Sequence, residues 1–241
     1  MSGPLPHPQG SSPSIRLENL GLHRGGRWLF RNLDVSIPPG RFVAITGRSG
    51  VGKSSLLQCV AGLLPPTEGR TFTHIDDHHS NHKKSCAVGV IFQNHLLINN
   101  SSILENVLCG RIGCHSSLQT LFGFSRTERQ EAFRVLNEVG LAPQTHRWVA
   151  EVSGGEAQRT AVARTLFQDP EIILADEPVS NLDPGNACHI LGLLHTLTKS
   201  RGKTVLCVLH DPALVAQFAD GILEFDGSPR GFHYQESHGK D

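Results

Sequence analysis

Residues Gly47 to Ser54 read G-R-S-G-V-G-K-S. Glycines at this spacing let a backbone wrap a phosphate chain and turn its N–H groups toward it. In such a loop Lys53 reaches the β- and γ-phosphates, and the Ser54 hydroxyl is a ligand for Mg²⁺. An apolar run, RFVAIT (41–46), precedes the motif, and a helical pattern from about Lys53 to Ala61 follows it. The positive end of that helix then faces the anion. Gly47, Arg48, Ser49, Gly50, Val51, Gly52, Lys53, Ser54 and Ser55 are read together as one phosphate-binding loop.

A second chemical cluster sits in IILADEP, where Asp176 closes an apolar strand and Glu177 follows it. Ligands of α/β sheets sit at the C-terminal strand ends, so Asp176 is a candidate Mg²⁺ partner. Two adjacent carboxylates at the end of a buried strand are costly unless a cation or a reacting water uses them. Glu177 is thereby a candidate general base for an attacking water. His210 ends TVLCVLH and Gln93 ends VGVIFQ. Alone, each would read as structural or as weak evidence. At the end of strands of the same sheet, His210 becomes a candidate γ-phosphate contact, and Gln93 shares that topological position.

The third feature is VSGGEAQR, starting at Val152. Ser153 with Glu156 three residues later forms a capping box, and Gly154 and Gly155 at a helix start cost stability unless something approaches the backbone closely. This is a second phosphate-reading helix start in a chain that already has one.

The elements that position these groups alternate between strand and helix, which argues for a parallel or mixed sheet. EIILAD (171–176), KTVLCVL (203–209) and AVGVIF (87–92) read as strands, and GILEFD (221–226) as an edge or final one. SIRLENLGLHR and LFRNLDVSI read as N-terminal antiparallel strands. Between Gln93 and about Gln168 the pattern is helical: Ser125 and Glu128 form a capping signal, Ala132, Phe133, Val135, Leu136 and Val139 recur at helical spacing, and Gly140 closes the segment.

The 241 residues carry 22 basic and 22 acidic side chains, so the chain lacks the basic excess of a charge-driven nucleic-acid binder. Its apolar runs fall short of the ~18 residues of a membrane span. No signal peptide is visible at the start, and residues 1–13, rich in Pro, Gly and Ser, read as a disordered tail. None of the six cysteines forms a CxxC pair, and all are read as reduced thiols. The histidine-rich stretch 73–84 reads as a polar loop, with metal binding left open.

GRSGVGKS, Gln93, VSGGEAQR, ILADEP, SNLD (180–183) and His210, in that order, resemble the ATP-binding subunit of ABC transporters over roughly residues 14–227. The resemblance implies an α/β fold: a P-loop NTPase core with an N-terminal antiparallel β subdomain and an inserted helical subdomain. The domain would run over 14–230, with the helical lobe at about 94–168 and a C-terminal tail at 231–241. It implies ATP and Mg²⁺ as ligands and two subunits paired head to tail. The Lys53 loop of one would hold ATP while Ser153, Gly154, Gly155 and Glu156 of the other close over it. By position, Asp183 would join the loop crossing that interface, Glu177 would be the general base, His210 would stabilise the γ-phosphate, and Gln93 would contact Mg²⁺ or the water beside Ser54 and Asp176. The sequence departs from the family in having Val152 and Glu156 where Leu and Gln are commonest. The family's adenine-stacking aromatic falls near Arg24, leaving Arg24, Trp28 or His23 as the base contact.

Residues 105–142 look like the phosphonate importer ATPases. The implied partners are a second ATPase subunit, a like copy rather than a relative, integral membrane permease subunits and, indirectly, a periplasmic solute-binding protein. The implied place is the cytoplasmic face of the bacterial inner membrane, with no nucleic acid involved. Two alternatives stay open: a soluble ABC ATPase acting on ribosomes or DNA, and an importer subunit for another small solute.

Overall fold

A computed structural model of the chain describes residues 14–73, 87–114 and 123–236. The tail expected at 1–13 lies outside the described residues, as does the histidine-rich stretch beyond Thr73. Strands β1 (Ile15–Arg24) and β2 (Arg27–Ile37) form a hairpin, and β4 (Glu68–Thr73) pairs with β1 on the other side, giving the antiparallel sheet β2-β1-β4. The main sheet has the order β5-β6-β7-β3-β8-β9. Its members are β3 (Phe42–Gly47), β5 (Val88–Ile91), β6 (Ile172–Asp176), β7 (Thr204–Val208), β8 (Gly221–Phe225) and β9 (Phe232–Glu236). The first five in spatial order are parallel, and β9 is antiparallel to β8.

The continuous apolar runs of β3, β6 and β7 follow from burial on both faces, the habit of covered parallel sheets. Phe42, Ala44, Ile173, Ala175, Val205 and Cys207 face one core, which extends into the helices between β5 and β6. Their neighbours Val43, Ile45, Ile172, Leu174, Leu206 and Val208 face the other core, shared with β1, β2 and α1 (Lys53–Val60).

Three readings of the sequence are corrected. β8 lies inside the sheet, between β3 and β9, not at its edge. The stretch from 231 read as a tail contains β9, whose FHYQE is half polar because an edge strand buries little. Cys114 is disulfide-bonded, although all six cysteines were expected reduced; motif spacing sees only pairs close in sequence. The strand β4 was not anticipated either: EGRTFT has no apolar run, and Gly69 at φ 76° sits where a Cβ would come within 2.3 Å of the Glu18 carbonyl.

Between β5 and β6 the described residues include the α-helices α2 (Ile103–Leu108), α3 (Arg126–Glu138) and α4 (Gly154–Gln168). Each begins with a complete capping box, Ser102 with Glu105, Ser125 with Glu128, and Ser153 with Glu156, each cap contributing about 1 kcal/mol. In α3, Ala132 and Leu136 are buried as the spacing predicts, but Phe133 is half exposed. The lobe is fastened at Phe167, which is fully buried. The Arg111 guanidinium lies 4.1 Å from its ring centroid and makes two 2.6 Å hydrogen bonds to Glu131, holding that carboxyl below its ordinary value. Phe167→Ala removes the ring on which Arg111 rests. It is expected to cost about 3–5 kcal/mol, read as a lower midpoint in urea unfolding; an unchanged midpoint would refute this account of the lobe.

Candidate functional site

Parallel strands end on a common edge, and that edge gathers the candidate residues. β3 runs into the phosphate loop, β5 ends two residues before Gln93, β6 ends at Asp176, and β7 ends two residues before His210. The loop can turn as it does because Gly47 has φ 130°, with the Phe225 carbonyl oxygen 2.5 Å from where a Cβ would stand. Gly52, at φ 114°, caps α1. Lys53 is buried, and its Nζ donates to the carbonyls of Gly47 and Arg48 at 2.7 and 3.0 Å. Burial lowers its pKa, against the opposing fields of Glu177 and Asp176. Arg48, Ser49 and Gly50 are exposed, and Val51 and Ser55 are half-buried.

Ser54 Oγ donates to Asp176 Oδ1 at 3.0 Å, joining loop to strand end. Burial pushes the Asp176 carboxyl above its ordinary value, Glu177 adds to the shift, and the Ser54 hydrogen bond and Lys53 only offset it. A partly buried carboxylate beside a hydroxyl, with the Gln93 amide bonded to the next residue, Glu177, offers oxygen donors of the kind a hard cation takes. These residues fit Mg²⁺.

Glu177 is held by both carboxylate oxygens. Gln93 Nε2 donates to Oε2 at 3.1 Å, and His210 Nε2 lies 2.8 Å from Oε1; with the carboxylate ionised, the imidazole is the donor. The Glu177 backbone is in the left-handed region, φ 51°, a conformation that costs of order 1–3 kcal/mol in a non-glycine residue. Its carbonyl accepts from Ser180 N, Ser180 Oγ and Gln158 Nε2 at 3.3, 3.2 and 3.1 Å.

The first turn of the second phosphate-reading feature, Ser153 to Glu156, makes its hydrogen bonds outside this cluster; Gln158, in the same motif, reaches the Glu177 carbonyl. Ser153 caps α4, its Oγ accepting from Glu156 N at 3.3 Å, while the Glu156 carboxylate accepts from Ser153 N and Oγ. A Cβ on Gly154 would meet nothing within 4 Å, and one on Gly155 would reach the Asn181 carbonyl at 3.4 Å. Among the described residues, nothing requires glycine at 154. Asp183 caps α5 (Pro184–Arg201): Oδ1 accepts from the N–H groups of Gly185 and Asn186, and Oδ2 from the Asn186 amide. Those bonds keep its carboxyl below the ordinary value.

Beside the phosphate loop a cavity of about 440 Å³ is lined by Arg27, Trp28, Leu29, Arg48 and Gly227, among others. Arg27 Nη2 donates to the Gly50 carbonyl at 3.1 Å. Trp28 lines this cavity and the Arg31 guanidinium covers its ring at 4.4 Å, whereas His23 packs T-shaped against that ring with centroids 5.2 Å apart. Neither His23 nor Arg24 lines the cavity.

One residue of the cluster went unnoticed in the sequence. Gln158 is fully buried yet polar. Its signal was available: Gln158, Ala161, Val162 and Thr165 recur at helical spacing among the buried residues of α4, and a glutamine among them must find partners inside the protein.

A protein-family model described as ABC transporter matches residues 30–180. The chain is 36% identical over 236 residues to the phosphonates import ATP-binding protein PhnC 2 of Oceanobacillus iheyensis, covering 92% of each. It is also 36% identical over 237 residues to the phosphite import ATP-binding protein PxtA of Stutzerimonas stutzeri, covering 93% of this chain and 85% of that one. Among solved structures, the dimeric post-hydrolysis state of the ATP-binding cassette MJ0796 bound to ADP and Pi superposes with a TM-score of 0.80 at 30% identity, over 93% of this chain and 99% of that one.

The raised Asp176 pKa has a thermodynamic consequence. A carboxyl that holds its proton more tightly when folded destabilises the fold at any pH above its folded pKa, and the penalty fades as pH falls toward the ordinary 3.8. Asp176→Asn keeps an acceptor for Ser54 and removes the charge. Without added metal it is expected to melt above the wild type at pH 8, with the difference shrinking as pH falls to 4. A variant that melts below the wild type at pH 8 contradicts this.

Proposed function

The chain belongs to the ABC transporter family of ATP-binding proteins, and from that premise we propose that it is the ATP-hydrolysing motor of an importer for phosphonates or related organophosphorus compounds. The observation that carries the catalytic part is the suspension of Glu177 between Gln93 and His210, beside the Ser54–Asp176 contact. The substrate class rests on likeness to the phosphonate and phosphite import proteins over nearly the whole chain.

In this reading the N–H groups of the loop 47–55 cradle the phosphates of ATP, and Lys53 turns from the carbonyls of Gly47 and Arg48 to the β- and γ-phosphates. Trp28, at the cavity beside the loop, is the base contact. Ser54, Asp176 and Gln93 would hold Mg²⁺, which would neutralise the charge that develops on the phosphates during transfer. Glu177 accepts the proton of the attacking water. His210 fixes one Glu177 oxygen and meets the γ-phosphate. A second copy supplies the closing turn, Ser153 to Glu156, and the open space at Gly154 is where that nucleotide comes close to the backbone. Asp183 stands at the crossing of the two copies. The half-exposed Leu96, Ile98 and Trp148 suit an apolar contact with the membrane permease subunits, and in this reading the protein works at the cytoplasmic face of the inner membrane. A periplasmic solute-binding protein delivers the cargo to those subunits.

Glu177→Gln is expected to lower ATP turnover by roughly 10²–10⁴-fold while an ATP-bound dimer accumulates on size exclusion. Ser153→Arg, which fills the closing turn, should abolish turnover yet leave ATP binding to the monomer intact. Wild-type turnover in either variant removes that residue from its role. Uptake into vesicles holding the permease, tested with phosphonates, phosphite and phosphate esters, decides the cargo; transport of none of them overturns the substrate class.

A further inference from the structure

Gln158 lies on α4, five residues after the serine that caps it, and is fully buried. Its amide has only one consistent orientation. The Glu177 carbonyl can only accept, so Gln158 places Nε2 there, at 3.1 Å. Oε1 is then left to accept from Asn181 Nδ2 at 3.3 Å and from His95 Nε2 at 2.8 Å, which puts a proton on that imidazole nitrogen. One side chain thus joins two loops: the connection between β6 and α5, held at Glu177 and at Asn181, and the segment after Gln93.

The His95 end is held as firmly as the Glu177 end. His95 and Leu96 have φ 58° and 46°, and Arg164, also on α4, donates to both of their carbonyls at 2.8 and 2.7 Å. Gln93 and Glu177 therefore meet twice, once through their own side chains and once through His95 and Gln158. The Ser180 contacts to the Glu177 carbonyl come from its own turn; Gln158 is the contact from another element. A left-handed carbonyl released from that contact can swing, and the carboxylate swings with it.

We infer that Gln158 is a positioning residue for hydrolysis, fixing the Glu177 backbone to the start of α4 so that the aim of the carboxylate and the place of Gln93 are set by one buried amide. The inference rests on Glu177 being the base. It adds a direct connection within one chain: a shift of the Ser153 turn as it closes on a nucleotide bound by a second copy reaches its own Glu177 through a single side chain.

The test uses the full chain and Gln158→Met, which keeps the volume and loses every hydrogen bond. kcat for ATP is expected to fall about tenfold to a hundredfold, as for a misplacement of about 1 Å, with KM within about twofold of wild type. In single-turnover measurements Gln158→Met added to Glu177→Gln should cost nothing further, since the residue it positions is already gone. Should Gln158→Met not fold, His95→Leu leaves the amide in place without its strongest partner, and a several-fold loss in kcat at unchanged KM is expected. Wild-type kcat in the folded variants, or an additive loss in the double variant, overturns the inference. Wild-type turnover in Glu177→Gln itself would instead remove the base assignment, so the two failures are distinguishable.

Discussion

Parallel pairing of β3 with β7 and β8, and of β6 with β5 and β7, is the constraint from which the rest follows. Parallel neighbours must all finish at the same edge. The phosphate loop, Gln93, the Asp176–Glu177 pair and His210 therefore converge, although more than 160 residues separate the first from the last. Such pairing is affordable only when both faces of the sheet are covered, which is why the chain carries two cores and why β3, β6 and β7 are almost uninterrupted apolar residues.

The convergence concentrates charge in a partly buried place. Lys53 and Asp176 are each shifted by burial toward their neutral forms. Their mutual attraction does not remove the cost, because Lys53 reaches back to its own loop's carbonyls and Asp176 to Ser54. This is the state expected of groups arranged to meet a phosphate and a cation rather than each other. Glu177 differs: its oxygens are both engaged, and its unfavourable backbone is stabilised from Gln158 and Ser180. Local strain maintained by surrounding contacts is a mark of functional positions.

The helical lobe contributes by way of α4. Its first turn carries the Ser153 cap and an uncrowded glycine, its middle carries Gln158 and Arg164, and its last turn carries Phe167 in the lobe's core. A helix is stiff over this length, so the exposed turn, the Gln93 segment and the lobe's packing are mechanically one piece. This links the exposed turn that caps α4 to the strand edge where the proposed chemistry takes place.

The amino-acid sequence by itself determined the phosphate loop, the carboxylate pair, the capped start of α4 and the class of fold, because each is written in residues close together: glycine spacing, strand-end acids, a serine three residues from a glutamate. It also implied the family before any geometry. Strands without an apolar signature were illegible, as β4 and β9 show, since edge strands bury one side at most and their polar residues read as loop or tail. The disulfide at Cys114 and the interior place of β8 were likewise invisible, both being matters of what lies beside what. Only the tertiary structure decided that Trp28 borders the phosphate loop while His23 and Arg24 do not line that cavity, that Phe133 faces outward, and that a buried glutamine bonds to the Glu177 backbone. The physical reason is common to all of them. Hydrogen bonds and burial between distant segments depend on how the sheet brings those segments together, and no local pattern of residue types encodes a partner 19 or 63 positions away.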